Sequence, residues 1–478
     1  MLKYALGPAA SHHSSALLHQ SALTPAPFKP YLNSHTALQR SDNFISYPQR
    51  TRAKFGASSI TSRRVQGLKS VVIAMSSSRK YESMSSLEPS DQSEGVKVWR
   101  GPVAGDISFL RLEEDAFLRP PGEGEVQVRV AAVGLNFADV FTCLGLYEAA
   151  PQKNYVPGLE FSGVVTAIGP PKADTERLEP EGIEVGSSVM GVTRFGAYST
   201  RINTDMQLVR RLPENWTFTQ GAAALVQGLT VWYGMSELGR LRAGDTVLIH
   251  SAAGGCGLRA LAMCQCVGAS SVAVVGSASK AEFLLKEFPE LKSEQVIVRP
   301  KGRGQAAAFK RDLEQALSSV GANEGFSIIM DSLLGPLFQP GWDLLRKGGK
   351  YVIYGAASMT PQGGLKGMQA LGAWIKLAWQ WLFRPKLDLL SMPGSNKAVF
   401  GFNLIWMFDR LPAMSPLMDE MLRLQIPPPT VGHVFDFSDA KDALRLFQTG
   451  TTQGKVVLEV KEFWDHHDRP AHEKDNSI

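Results

Sequence analysis

The chain has 478 residues, 44% of them hydrophobic and 20% charged, with a net charge of +5. At roughly 100 to 200 residues per domain this is too long for a single core, and the absence of an uncharged apolar run of about 18 residues argues against a membrane-spanning helix. Four cysteines, at positions 143, 256, 264 and 266, have neither zinc-site nor disulfide-framework spacing.

Residues 1–75 hold nine Lys or Arg against one acid, Asp42, so their charge exceeds that of the whole chain and the remainder is slightly acidic. They are rich in Ser, Ala and Arg, are broken by Pro25, Pro27, Pro30 and Pro48 and lack apolar periodicity. These are the properties of an organelle targeting segment, and they predict a plastid transit peptide over 1–75 and a linker over 76–94. A mitochondrial address and a cytosolic tail are the alternatives. Acidic residues at Glu82, Glu88, Asp91 and Glu94 mark the change of composition.

From Val96 onward, short β-rich segments are punctuated by glycine and proline. Strands are predicted at 125–132, 163–168, 188–192 and 196–201, which is the rhythm of an antiparallel, barrel-like domain over 95–226. From about Gln220 apolar strands alternate with helical patterns. Six buried strands are predicted, at 246–250, 271–275, 295–298, 327–330, 350–354 and 397–400, giving a doubly wound parallel α/β sheet over 227–405. Cys264 and Cys266 are two apart in a helical run and point to different faces, as packing thiols do. A helix and strands near 432–437 and 455–460 return the chain over 406–462 to the first domain, and 463–478 form a tail.

Residues 365–383 are predicted to form a helix bearing Trp374, Trp379 and Trp381. It is read either as a peripheral membrane contact or as a helix packed beside the cleft or at a dimer contact.

The strand at 246–250 runs into Ser251, Ala252, Ala253, Gly254, Gly255, Cys256 and Gly257 and then into a helix. That order aims backbone N–H groups and a helix dipole at a pyrophosphate. Ala252 stands where the first glycine of the usual motif falls, so the surrounding alternation carries the reading. At the end of the second strand an NAD site places Asp or Glu, whereas this chain has Gly276, Ser277, Ala278, Ser279 and Lys280. Hydroxyls and an ammonium suit a 2′-phosphate, so NADPH is the expected cofactor. His250 and His433 are read as structural, no metal site is expected, and no concentrated basic patch points to nucleic acid.

The segments Gly134–Asp139, Gly145–Tyr147, Pro157–Gly163, Ala222–Ala224 and Gly228–Tyr233 resemble the zinc-free quinone oxidoreductases, the zeta-crystallin-like group of the medium-chain dehydrogenase/reductase superfamily. Within it, Gly276–Lys280, the tryptophan-bearing segment and Ala398–Leu404 look most like the vesicle amine transport protein homologues. Zinc-dependent relatives place a cysteine near Asn136 and a histidine at Leu159.

The resemblance implies a doubly wound parallel Rossmann sheet inserted into a GroES-like β-barrel catalytic domain, and a homodimer. It puts Asn136 and Thr230 near the nicotinamide and its ribose. Ala253, Gly254, Gly255, Cys256 and Gly257 fall at the pyrophosphate, and Gly276, Ser277 and Lys280 at the 2′-phosphate. Tyr354, Gly355, Phe400 and Gln453 match other cofactor-lining positions, and Tyr147 faces the substrate side. The implied activity is NADPH-dependent reduction of quinones or conjugated carbonyls. Asn136, Tyr147 or water would donate to the developing oxyanion, and a proton would come from Tyr147 or solvent. Reduction of an alkenal or enone double bond and a non-catalytic, membrane-associated NADPH-binding role are the alternatives.

Overall fold

The computed structural model describes residues 95–172, 182–359 and 384–465, together with positions 375, 378, 379, 381 and 382. The proposed leader lies outside the described residues, as do the C-terminal residues 466–478 and most of the segment 365–383. Of the latter, Ile375, Trp379, Trp381 and Leu382 are exposed.

The first lobe opens with a small sheet. Strand β1 (Val96–Val103) pairs with β2 (Arg111–Ala116) on one side and β4 (Lys153–Tyr155) on the other. Between them runs β3 (Glu125–Gly134), the centre of a second, mainly antiparallel sheet. Strand β3 pairs with β5 (Glu160–Ile168), which continues through β6 (Ser188–Val192) to β8 (Val209–Arg211), while β7 (Arg201–Asp205) also pairs with β3. The strand predicted at 196–201 therefore lies later. Gly196 has φ +102°, and residues 196–200 form a turn with one bridge from Ser199 to Val98. The true strand buries Ile202 and Thr204 and turns Arg201, Asn203 and Asp205 outward, and these polar outward residues hid it.

The second lobe is a six-stranded parallel sheet. Its strands are β9 (Thr246–His250), β10 (Ser270–Val275), β11 (Val296–Val298), β12 (Phe326–Asp331), β13 (Leu345–Ile353) and β14 (Ala398–Gly401), in the spatial order β11-β10-β9-β12-β13-β14. All six predicted strands are present, and the order is that of a doubly wound dinucleotide fold. Strands β9 and β12 are buried at every position, so both faces must be covered. The helices Gly255–Val267 and Ala278–Glu287 close one face through Leu258, Leu261 and Leu284, and the helix Gln305–Ser319 closes the other through Phe309 and Leu313. Cys264 is buried in this core and Cys266 is exposed, as their two-residue spacing requires.

The chain then rejoins the first lobe. Strands β15 (Val431–Asp436) and β16 (Lys455–Glu459) pair in parallel, and β16 lies antiparallel to β3. The parallel sheet is thus an insertion into the first lobe. Among the described residues no helix is long and apolar enough to cross a membrane.

Candidate active site

A cleft of about 760 Å³ runs between the lobes along the carboxyl ends of the parallel strands. Strand β9 leads into its midpoint. Ser251 takes φ +55°, Ala252 is fully buried, and Gly254 caps the helix Gly255–Val267, which brings Ala253, Gly254, Gly255, Cys256 and Gly257 into the wall. A Cβ on Gly257 would collide with the Ala252 backbone, and one on Gly255 with the Gln227 amide. These glycines are required by close packing at the turn. The helix start leaves N–H groups and a positive dipole end facing the cleft, a fit to a pyrophosphate. Burial pushes the Cys256 thiol up to about 11, so it stays protonated at neutral pH.

One end of the cleft is cationic. Gly276 and Lys280 line it as predicted, joined by Arg299, which follows β11 and was not anticipated. A Cβ on Gly276 would meet Arg299 Nη2 at 2.9 Å, so the glycine makes room for the guanidinium. Arg299 makes no side-chain hydrogen bond or ion pair with any described residue. The Lys280 ammonium donates to the Gly450 carbonyl at 2.7 Å. Its pKa is lowered by burial and then by the Arg299 charge. No Asp or Glu lies among the described residues lining the cleft. Two adjacent cations without a carboxylate fit a phosphate and disfavour a bare ribose diol site.

Three predicted positions lie off the wall. Ser277 caps the helix Ala278–Glu287, accepting from Lys280 N, and its hydroxyl also pairs with that of Ser279 at 3.0 Å. Phe400 lies within β14, short of the carboxyl edge, and packs into the core, whereas Phe402 just beyond the edge lines the cleft. Gln453 donates to the Ser279 carbonyl at 3.3 Å and leaves the lining position to Thr452. Gln453 belongs to the run 450–455, in which Gly454 N also donates to the Ala253 carbonyl at 3.0 Å. One short segment of the first lobe therefore contacts both the cationic end and the glycine turn.

At the other end Asn136, Tyr147 and Thr230 converge, with Tyr354 and Gly355 alongside. Thr230 Oγ1 donates to the Val226 carbonyl at 2.7 Å, so toward a ligand it can only accept. The Tyr147 hydroxyl donates to Asn403 Oδ1 at 3.0 Å, and burial pushes its pKa up to about 12. The Tyr354 phenol is likewise raised by burial. Asn136 is held from behind. Its Oδ1 accepts from Lys455 Nζ at 2.9 Å and its Nδ2 donates to Glu160 Oε1 at 2.9 Å. Lys455 and Glu160 were not anticipated as site residues, because they are 295 positions apart and meet only when β16 and β5 flank β3.

Beside them Asp139 is buried, accepting from the backbone of Asn136 at 2.8 Å and Gly158 at 3.2 Å, and burial pushes its pKa up to about 7. His250 is buried, with burial lowering its pKa, and lies against the Phe309 ring. His433 is half-buried, its pKa lowered by burial and by Lys280. Among the described residues no group of three or more His, Cys, Asp or Glu is placed to hold a metal ion. Asn136 and Leu159, near which the resemblance sets the zinc ligands of related enzymes, offer an amide and an aliphatic side chain, a donor set unsuited to zinc.

Residues 122–214 match the family model of the alcohol dehydrogenase GroES-like domain, and residues 306–458 match that of the zinc-binding dehydrogenase. The synaptic vesicle membrane protein VAT-1 homolog of Rattus norvegicus is 31% identical over 358 residues, which is 74% of this chain and 81% of that protein. Among solved structures, mycobacterial Rv1454c complexed with NADPH aligns with a TM-score of 0.60 and 23% identity, covering 76% of this chain and 100% of that one. The quinone oxidoreductase of Pseudomonas syringae aligns with a TM-score of 0.59 and 22% identity, covering 76% and 99%. At these identities the two structures establish the fold.

Proposed function

Because the chain belongs to the zinc-free, quinone oxidoreductase-like group of the medium-chain dehydrogenase/reductase superfamily, we propose that it is an NADPH-dependent oxidoreductase that reduces quinones or other conjugated carbonyl compounds. The observation that carries the cofactor is the pairing of Lys280 and Arg299 in a cleft wall that has no carboxylate among its described residues. Gly254, Gly255 and Gly257 hold the pyrophosphate at the helix start, and Asn136, Thr230 and Tyr354 border the nicotinamide end. When bound, NADPH supplies the hydride.

The residues of the chain bind, orient and exclude water. The substrate end combines apolar side chains, Leu159, Phe402 and Phe408 among them, with the hydroxyl of Tyr147 and the amides of Asn136 and Asn403. This is the mixture expected for a flat, conjugated acceptor with one or two carbonyl oxygens. Tyr147 remains protonated at neutral pH, and by turning its O–H from Asn403 Oδ1 it can donate to the oxygen on which charge develops. Holding the acceptor in line accounts for most of the acceleration.

The test is NADPH consumption by the purified protein against a panel of quinones, 2-alkenals and enones, with NADH in parallel. Turnover of quinones or enones with a preference for NADPH supports the reading, and NADPH binding without turnover of any acceptor overturns it. The proposal includes a plastid location, on the acid-poor composition of residues 1–75, with a mature terminus between Val72 and Ser90. Terminal sequencing of the protein from its native cells tests this, and an intact leader in the cytosol refutes it. A homodimer is part of the same proposal, and sedimentation measures it.

A further inference from the structure

The ammonium of Lys455 and the carboxylate of Glu160 meet at 2.6 Å, with the side chains 2% and 0% exposed. A desolvated ion pair is a poor source of stability, since apolar residues of similar volume commonly do as well or better. Its partners indicate another use. Two of the ammonium protons are directed to Glu160 Oε1 and to Asn136 Oδ1 at 2.9 Å, and the third finds the Gln227 amide oxygen at 2.6 Å once that amide is assigned with its oxygen toward Lys455, the orientation that satisfies both of its ends. Glu160 Oε1 also accepts from Asn136 Nδ2, and Glu160 Oε2 accepts from Val226 N at 2.9 Å. In that assigned orientation Gln227 also donates to the Gly255 carbonyl at 3.3 Å, on the glycine turn of the other lobe.

We propose that Lys455 and Glu160 are a positioning pair that locks the amides of Asn136 and Gln227 in one orientation each, tying the substrate end of the cleft to its dinucleotide turn. A side-chain amide is nearly symmetric in shape but not in hydrogen bonding. An ammonium on one side and a carboxylate on the other permit a single orientation of Asn136. In that orientation the second Nδ2 proton is donated to the Gly134 carbonyl at 3.3 Å, the longer of the two Nδ2 bonds and the one a ligand oxygen would displace. The pair sits where three adjacent strands, β16, β3 and β5, reach the cleft, so the orientation is set by the rigid sheet.

The test separates orientation from stability. Lys455→Met alone strands a buried carboxylate and is expected to destabilise the fold. Lys455→Met combined with Glu160→Gln removes both charges and is expected to melt within about 5 °C of the wild type. This double variant should lose about 10- to 100-fold in kcat while the KM for NADPH changes by less than about threefold. In an Asn136→Ala background the same two substitutions should change kcat by less than about twofold, because the amide they orient is gone. Neutron diffraction from crystals of the double variant, which tells the amide nitrogen from its oxygen, should show Asn136 in a second orientation.

A double variant with wild-type kcat and an unmoved Asn136 overturns the proposal. So does an undiminished effect in the Asn136→Ala background, or a double variant that does not fold, which would make the pair structural. The kinetic arm rests on the proposed reductase activity and the crystallographic arm does not. Absence of wild-type turnover would therefore refute the activity and leave the orientation of Asn136 to decide the role of the pair.

Discussion

The ammonium of Lys280 is held at 2.7 Å by the carbonyl of Gly450, so the cation proposed to read the 2′-phosphate is anchored to the opposite lobe. Its second neighbour, Arg299, lines the same part of the cleft and makes no side-chain hydrogen bond with any described residue. A 2′-phosphate entering there meets one cation already fixed and one free to turn toward it. A charge-assisted hydrogen bond contributes about 1.5 to 3 kcal/mol, or roughly 10- to 150-fold in affinity.

Lys280→Ala should therefore reduce kcat/KM for NADPH by about 10-fold, the lower end of that range, because Arg299 persists. Adding Arg299→Ala should take the loss beyond about 100-fold. NADH should change little in both variants. Parallel kcat/KM measurements at fixed moderate salt check this, and an unchanged NADPH to NADH ratio in the double variant would sink the cofactor assignment.

Tyr147→Phe removes a hydroxyl that donates to Asn403 and that burial holds protonated up to about pH 12. The expected outcome is a fall in kcat of about 10-fold or more, typical of losing a positioned donor. Because the phenol does not ionise near neutrality, it adds no inflection to the wild-type pH–rate profile between pH 6 and 9. A profile with an inflection in that window that disappears in Tyr147→Phe would contradict the assignment.

Asp139 gives stability a pH dependence of definite sign. Its folded pKa of about 7 lies above its ordinary 3.8, so between those values the folded state keeps a proton that the unfolded state has lost. Stability from this group is fully present below the unfolded pKa and declines as pH rises toward 7, at about 1.4 kcal/mol per unit. Asp139→Asn removes the titration. The stability difference should shift in favour of the variant by about 3 kcal/mol between pH 5 and 8, as measured by urea unfolding. A constant difference across that range would count against the buried, protonated carboxyl.

Gly255→Ala places a methyl group against the Gln227 amide. Overpacking of this kind costs about 1 to 3 kcal/mol, and here it displaces the helix start that faces the cofactor. NADPH affinity should fall by about 10-fold or more in fluorescence titration. Gln227→Ala in the same chain should restore much of that loss by making room, and no restoration would place the clash elsewhere.

The sequence made the parallel sheet readable because its strands are buried on both faces, so each appears as an apolar run between helical patterns. The shift of β7 from 196–201 to 201–205 shows the opposite case, in which alternating polar residues on a half-exposed strand look like loop. The glycine turn was legible for the same local reason, since strand, turn and helix are contiguous. Arg299 was not, because one arginine after a three-residue strand carries no local pattern. Lys455 and Glu160 lay further from view. Each reads as an ordinary surface charge, and only the pairing of β16 and β5 with β3 buries them together. Phe400 and Gln453 rest on the family resemblance alone, which carries no information on where each side chain lies relative to the cleft.

The run 450–455 acts as a gauge of length. Its first carbonyl meets Lys280, its fifth residue meets the glycine turn through Ala253, and its sixth reaches Asn136. At about 3.3 to 3.6 Å per residue, six residues span at most about 20 Å. Spacing is thus under tighter constraint here than residue identity, and a single inserted residue would throw one station out of phase with the other two. Length variation among homologous chains should be excluded from this run even where residues other than Lys455 differ within it.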